Sequence, residues 1–193
     1  MRASLTRAAL IALTLVVVAV GSAAATTFNR HGDQVLANRL TLHMSDMPTG
    51  WRAVPPSTPS TSCKIFESIT SLSTAKAETD FSESSGGAFS QVGVLPTLAL
   101  SKRTYLNVLT NAAGCLLKLS GVDHPRVGEL SVPRIGDQSK GWSLQGSVKT
   151  LHVHGELVVV RIRRALALYL FAGFGVGDSV AELRLVRQAA SRA

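Results

Sequence analysis

Apolar and polar residues alternate with a period of two through much of the C-terminal half of the chain. The alternating positions are Trp142, Leu144, Val148 and His152. Residues 157–162 then form a β-branched run, which favours a central strand. We place a tight connection at His154-Gly155 and a turn at Arg163-Arg164, which leads into a returning strand at 165–171. This spacing predicts an antiparallel meander.

Two other segments have the period of a helix. Residues 102–119 follow Ser101 as a plausible N-cap and end at Gly121. Their apolar face consists of Tyr105, Leu109, Ala112 and Leu116. A second helix is predicted where Ser179 and Glu182 have the spacing of a capping box. Together the two patterns predict an α+β fold, an antiparallel β-sheet with helices packed on one face.

The N-terminal half has weaker patterns. Residues 26–38 are polar, and we expect them to be poorly ordered. Residues 54–62 contain three prolines and indicate a loop, whereas 63–77 have mixed helical spacing. Residues 78–87 are polar and predict a turn or flexible loop. Residues 88–100 indicate a strand region.

The first 25 residues have the pattern of an export signal. Arg2 and Arg7 precede an apolar run at 8–20, and three alanines at 23–25 suit signal peptidase. The run of 13 residues is shorter than the roughly 20 that a spanning helix needs. We therefore predict a cleaved signal peptide, a single extracellular domain at 26–193 and no integral membrane span in the mature chain. An uncleaved leader that anchors the protein in the membrane is the alternative.

The charge of the chain is basic and unevenly distributed. The formal net charge is +8, and residues 101–193 hold thirteen Lys or Arg against six Asp or Glu. Such an excess attracts anionic lipid or an acidic envelope component, and Arg161, Arg163 and Arg164 form its densest group. The alternative is a basic surface that only water solvates. Nucleic acid is not an expected partner, because the basic residues are not interleaved with stacking aromatic residues.

The chain has two cysteines, Cys63 and Cys115. In an exported protein such a pair favours a disulfide, which would stabilise the fold by about 4 kcal/mol in the chain-entropy model. Two buried free thiols are the alternative. No C-x-x-C motif is present, so a thioredoxin-like redox role has no support.

The sequence predicts no catalytic residue, no metal site and no cofactor. His152 and His154 share a strand face, but zinc needs three or four ligands. The Gly136-Asp137-Gln138-Ser139 segment has the composition of an ordinary turn. The glycine-rich segment 173–177 is a β-to-α connection before a helix N-terminus, where an anion could bind.

Four short motifs resemble, in their order, actinobacterial exported proteins related to the extracellular sensor domain of the PknH kinase. They are LHMSDMPTGW at 42–51, AAGCL at 112–116, GDQS at 136–139 and VVVR at 158–161. The resemblance implies an α+β module of sheet plus helices that senses or binds a ligand outside the membrane. This sequence departs from the kinase in having no kinase domain and one potential disulfide where the kinase sensor has more.

These observations favour a secreted, non-catalytic binding or sensor-like module of the cell envelope. The alternatives are an envelope hydrolase with an unrecognised active site and a structural accessory protein bound through its basic face. Clustered titratable residues with shifted pKa values would favour an enzyme. A pocket lined by apolar groups with a few polar ones would favour binding.

Overall fold

The computed structural model describes residues 29–56 and 63–193. The helices are α1 (Arg30–Leu40), α2 (Lys64–Ser71), α3 (Leu98–Ser120) and α4 (Ser179–Ala190). The strands are β1 (Arg52–Val54), β2 (Ala75–Ser82), β3 (Gly86–Val94), β4 (Asp123–Leu130), β5 (Gln138–Val148), β6 (Leu151–Ile162) and β7 (Ala165–Phe174). The α+β fold and the C-terminal meander predicted from the sequence are confirmed.

The described strands form one antiparallel sheet in the order β1-β2-β3-β7-β6-β5-β4. Helix α3 has 23 residues and follows β3, whereas β4 lies at the far edge of the sheet. At 1.5 Å per residue the helix is about 34 Å long, and the four strand spacings from β3 to β4 span only about 19 Å. The helix is therefore long enough to cross the sheet, and the meander β4 to β7 returns to β3.

Helices cover both faces of the sheet, which corrects the prediction that they pack on one face. Val158 and Val160 of β6 belong to a core with α1 and α4, whereas Leu157 and Val159 belong to a core with α2 and α3. The run at 157–160 is uninterruptedly apolar because both faces of this central strand are buried. The pattern of β6 was thus the signal for a two-sided core.

Two predictions for the N-terminal half were wrong. Residues 30–38 are helical, because Asn29 caps α1 and the helix buries Ala37 and Leu40 against the sheet. Residues 78–87 are largely strand, since β2 and β3 pair along their length and meet in a tight turn. Pairing between neighbouring strands supplies the order that these polar side chains do not indicate locally.

The helix starts also differ from those predicted. Helix α3 begins at Leu98 with Thr97 as its N-cap, and Ser101 is buried inside it, donating to the Arg163 carbonyl oxygen at 3.2 Å. Helix α4 is capped by Asp178, whose side chain accepts from the Ala181 amide at 3.0 Å. Ser179 is therefore the first helical residue of α4.

The turn between β5 and β6 lies earlier in the sequence than predicted. His154 and Gly155 are inside β6, and the chain reverses at residues 149–150, where Lys149 has a φ of 56°. This difference places His154 and Glu156 within a buried strand. Both residues become important for the candidate site.

The predicted signal peptide at 1–25 lies outside the described residues. Along the part of the chain that the structure describes, no helix combines the length and the apolar character needed to cross a membrane.

Candidate functional site

Two cavities meet at the side chain of His154, near the start of α4. The larger has a volume of about 450 Å³ and lies against β5, β6 and the segment that precedes α4. The smaller has a volume of about 240 Å³ and lies against β7, α4 and Trp51. His154 and Val176 line both cavities, so the two cavities are neighbours.

The alternation of β6 determines which side chains face this region. His154, Glu156 and Val158 share one face of the strand, and Val158 packs in the core that includes α4. The hydroxyl of Ser179, the first residue of α4, donates a hydrogen bond to Glu156 Oε1. The N-terminus of α4 therefore lies directly over His154 and Glu156.

Two glycines make room for the imidazole. A Cβ atom added at Gly173 would lie 2.8 Å from His154 Cε1, and one added at Gly177 would lie 2.5 Å from His154 Cδ2. Distances this short are excluded sterically, so any side chain at either position would displace the ring. Gly173 at the end of β7 and Gly177 in the segment after it therefore have a packing role against His154.

A buried carboxyl group, that of Glu156, and a partly buried one, that of Glu182, form the polar centre of the site. Glu156 is 4% exposed, and Glu182 Oε1 lies 3.7 Å from His154 Nε2. Among the described residues, Glu156 Oε2, Glu182 Oε2 and His154 Nδ1 are buried without a hydrogen-bond partner. Glu156 lies close enough to Glu182 to raise the pKa of that carboxyl group. Two ionised carboxylates can only accept hydrogen bonds and repel each other, so their proximity favours a proton on one of them.

The pKa of Glu182 reflects this arrangement. Burial is the largest cause of its rise from 4.5 to about 8. The neighbouring carboxyl group of Glu156 and the negative charge of Asp178 raise the pKa of Glu182 further. At neutral pH the carboxyl group of Glu182 is therefore largely protonated.

The charged side chains that line the two cavities are acidic. They are Glu83, Glu156, Asp178 and Glu182, accompanied by His152 and His154. Among the described residues, neither cavity is lined by a lysine or an arginine. An acidic site in a chain of formal net charge +8 disfavours the anion binding at this helix N-terminus that the sequence left open.

The structure does not bring the three sequence-predicted arginines together on one exposed face. Arg161 is 6% exposed, pairs with Asp137 at 3.1 Å and donates to Gln138 Oε1 at 2.7 Å. Arg164 pairs with the buried Asp33 and donates to a backbone carbonyl oxygen. Only Arg163 of the three is exposed. Their role in binding an anionic lipid or an acidic envelope component stays a prediction.

The predicted disulfide is present between Cys63 and Cys115. Their Cα atoms are 5.2 Å apart, and the bond joins the start of α2 to α3. Both half-cystines are buried in the core on that face of the sheet, away from His154.

Sequence reasoning missed Glu156 and assigned Glu182 a different role. Glu182 was interpreted as the second member of a capping box, but Asp178 caps the helix instead. The missed signal is the position of Glu156, directly before the apolar run at 157–160. A carboxylate in a central strand has to be paired or neutralised, because burying an isolated charge is costly.

The fold of the described residues resembles that of a solved domain. It is similar to the extracellular domain of PknH from Mycobacterium tuberculosis, with a TM-score of 0.58. The match covers 83% of this chain and 97% of that one, at 8% sequence identity. The resemblance inferred from the order of the motifs is therefore confirmed at the level of the fold. The sequence itself matches no protein-family model and no curated protein.

Proposed function

We propose that this protein is a secreted, non-catalytic, sensor-like module of the cell envelope that binds its ligand in the two cavities at His154. The observation that carries the proposal is the pair of cavities with buried, incompletely bonded polar groups between them. Small-molecule sites are concave, mostly apolar and marked by a few polar groups of this kind.

The extracellular location is supported by two independent features. The pattern of the first 25 residues is that of an export signal, and the chain carries a disulfide, which persists in oxidising compartments. The similarity to an extracellular domain is consistent with both features.

One arrangement that would favour an enzyme is not formed by the side chains at His154. Ser179 donates to Glu156, and His154 Nε2 lies 3.7 Å from Glu182 Oε1, so this serine and this histidine do not make the hydrogen bond of a nucleophile to its base. The raised pKa of Glu182 is a feature that active sites share, so the missing contact between nucleophile and base is what favours binding over an envelope hydrolase.

The test is binding of a small panel of probes, namely benzylamine, benzyl alcohol, benzoate and glucose, followed by NMR of the ¹⁵N-labelled protein. We expect at least one probe to shift amide signals of β6 and of residues 173–177. Ala181 lines the smaller cavity, so Ala181→Trp should fill it and weaken binding about tenfold.

The matched control is Ala99→Trp, at an exposed position of α3, which should bind as the wild type does. Signals that shift only elsewhere, or binding that Ala181→Trp leaves unchanged, would contradict the proposed site. The same is true if none of the probes binds.

A further inference from the structure

We infer that the Glu156–Glu182 carboxyl pair recognises a small organic cation, a primary amine attached to an apolar body. This inference rests on the proposed function and names the chemical class of its ligand. It reverses the expectation from the net charge, which pointed to an anionic partner.

The first argument is the sign of the local charge. Glu156 lines the larger cavity, and Glu182, Asp178 and Glu83 line the smaller one. Within the part of the chain that the structure describes, the basic groups that line the two cavities are the imidazoles of His152 and His154. A concave site walled by carboxyl groups concentrates cations, even on a basic protein.

The second argument is the state of the two carboxyl groups. Glu156 is more than nine-tenths buried, and its Oε2 atom has no hydrogen-bond partner among the described residues. Carboxyl groups that are withdrawn from water have to be neutralised by a proton or by a cation. An ammonium group brings one positive charge and three donors, so it can take the place of the proton on Glu182 and donate to Glu156.

The third argument is the character of the walls. Trp51, Phe171 and Leu185 line the smaller cavity beside Glu182. Aromatic faces attract cations, and apolar walls hold an apolar body. The volume of about 240 Å³ suits a small ligand of this kind.

A metal ion or an anion fits this site less well. Among the described residues, no group of three His, Cys, Asp or Glu side chains is arranged to hold a metal ion. An anion would meet Asp178, which already occupies the N-cap position of α4. An organic cation requires neither a third ligand nor the helix N-terminus.

Glu182 holds a proton at neutral pH, and an ammonium ion bound beside it releases that proton. Affinity should therefore rise with pH up to about the pKa of Glu182, near 8. The other titratable groups that line the two cavities are His152, His154, Asp178 and Glu83.

The experiment is isothermal titration calorimetry of the full protein with benzylamine, benzyl alcohol and benzoate. Each titration is run in phosphate buffer and in HEPES buffer near pH 7.5. Benzylamine should bind about tenfold more tightly than benzyl alcohol, and benzoate more weakly than both. The difference in heat between the two buffers should show proton release. Glu182→Gln and Glu156→Gln should each lower the affinity for benzylamine about tenfold and leave benzyl alcohol unaffected.

The matched control is Glu67→Gln, an exposed residue of α2, which should change nothing. Equal affinity for the amine and the alcohol would overturn amine recognition while the proposed binding function stands. Binding of none of the three probes would count against both. Should the Gln variants fail to fold, the wild type decides the matter, because an affinity for benzylamine that does not change between about pH 6 and 8 also overturns the inference.

Discussion

At the scale of single residues, burial raises the pKa of Glu182 by more than its position in the first turn of a helix lowers that pKa. Glu182 lies in the first turn of α4, where the macrodipole stabilises a carboxylate by only about 0.3–1 kcal/mol. The rise of its pKa from 4.5 to about 8 corresponds to roughly 5 kcal/mol in the opposite direction. The packing of α4 on β6 thus determines the protonation of Glu182, and its position in the helix does not.

This residue makes stability depend on pH. The folded protein keeps the Glu182 proton up to about pH 8, whereas the unfolded chain loses it near 4.5. The folded state therefore binds more protons in this window, and the free energy of unfolding contributed by Glu182 falls as the pH rises from 4.5 to 8. Glu182→Gln should be more stable than the wild type by about 1–3 kcal/mol near pH 8, and similar to it near pH 4.5.

Urea unfolding of both proteins at several pH values measures this difference. Glu67→Gln is the control, since the charge that it removes lies on the surface of α2. A stability difference between Glu182→Gln and the wild type that stays constant with pH would show that Glu182 ionises normally.

A second residue-scale prediction concerns Tyr169, which is fully buried in β7. Its hydroxyl donates to the Leu40 carbonyl oxygen at 2.6 Å, at the end of α1. Tyr169→Phe leaves that buried acceptor without its donor and should lower the free energy of unfolding by about 1–3 kcal/mol. Urea unfolding checks this, and a loss below about 0.5 kcal/mol would mean that water replaces the hydroxyl.

At the scale of elements, Arg164 ties the β6–β7 turn to α1. Asp33 of α1 is 3% exposed and accepts from Arg164 and from Thr74 Oγ1. Breaking a fully buried ion pair costs roughly 3–5 kcal/mol, but the Arg164 side chain is 35% exposed, so Arg164→Gln should cost about 2 kcal/mol. Arg163→Gln, at the exposed neighbouring position, should change stability by less than about 0.5 kcal/mol.

Thermal and urea unfolding of the two variants give the comparison directly. Equal effects at the two positions would mean that Arg164 acts as a surface charge, as the sequence alone suggested. The result also decides which arginine is suitable for testing anionic partners, because a variant that unfolds the protein cannot report on binding.

Elements with a strong periodic pattern were predictable, and those without one were not. The apolar run at 157–160 in β6 and the apolar face of α3 carry their own signal, because both faces of β6 are buried there and one face of α3 is buried against the sheet. Strand β2 and the start of β3 have no such run, and their order comes from cross-strand pairing and from β7 beyond it.

At the scale of the whole molecule, the disulfide joins two helices on one face of the sheet. It closes a loop of 52 residues, for which the chain-entropy model gives about 4 kcal/mol. The double variant Cys63→Ser/Cys115→Ser should therefore lose about this much free energy of unfolding. Urea unfolding of the variant and of the oxidised wild type measures it.

Thiol labelling under denaturing, non-reducing conditions provides the control. The wild type should show no free thiol, because both cysteines are in the disulfide. Two labelled cysteines in the exported protein would rule the bond out. A double variant as stable as the wild type would instead show that the unfolded chain is already compact around these residues.

The sequence by itself determined the class of fold, the meander, the main helix and the disulfide pair, because periodicity and cysteine count are local properties of the chain. Only the tertiary structure decided that helices cover both faces and that β3 pairs with β7, since these depend on contacts between distant segments. The candidate site belongs to the second group. Glu156 and Glu182 are 26 positions apart in the sequence, and only the packing of α4 on β6 brings them close enough for Glu156 to raise the pKa of Glu182.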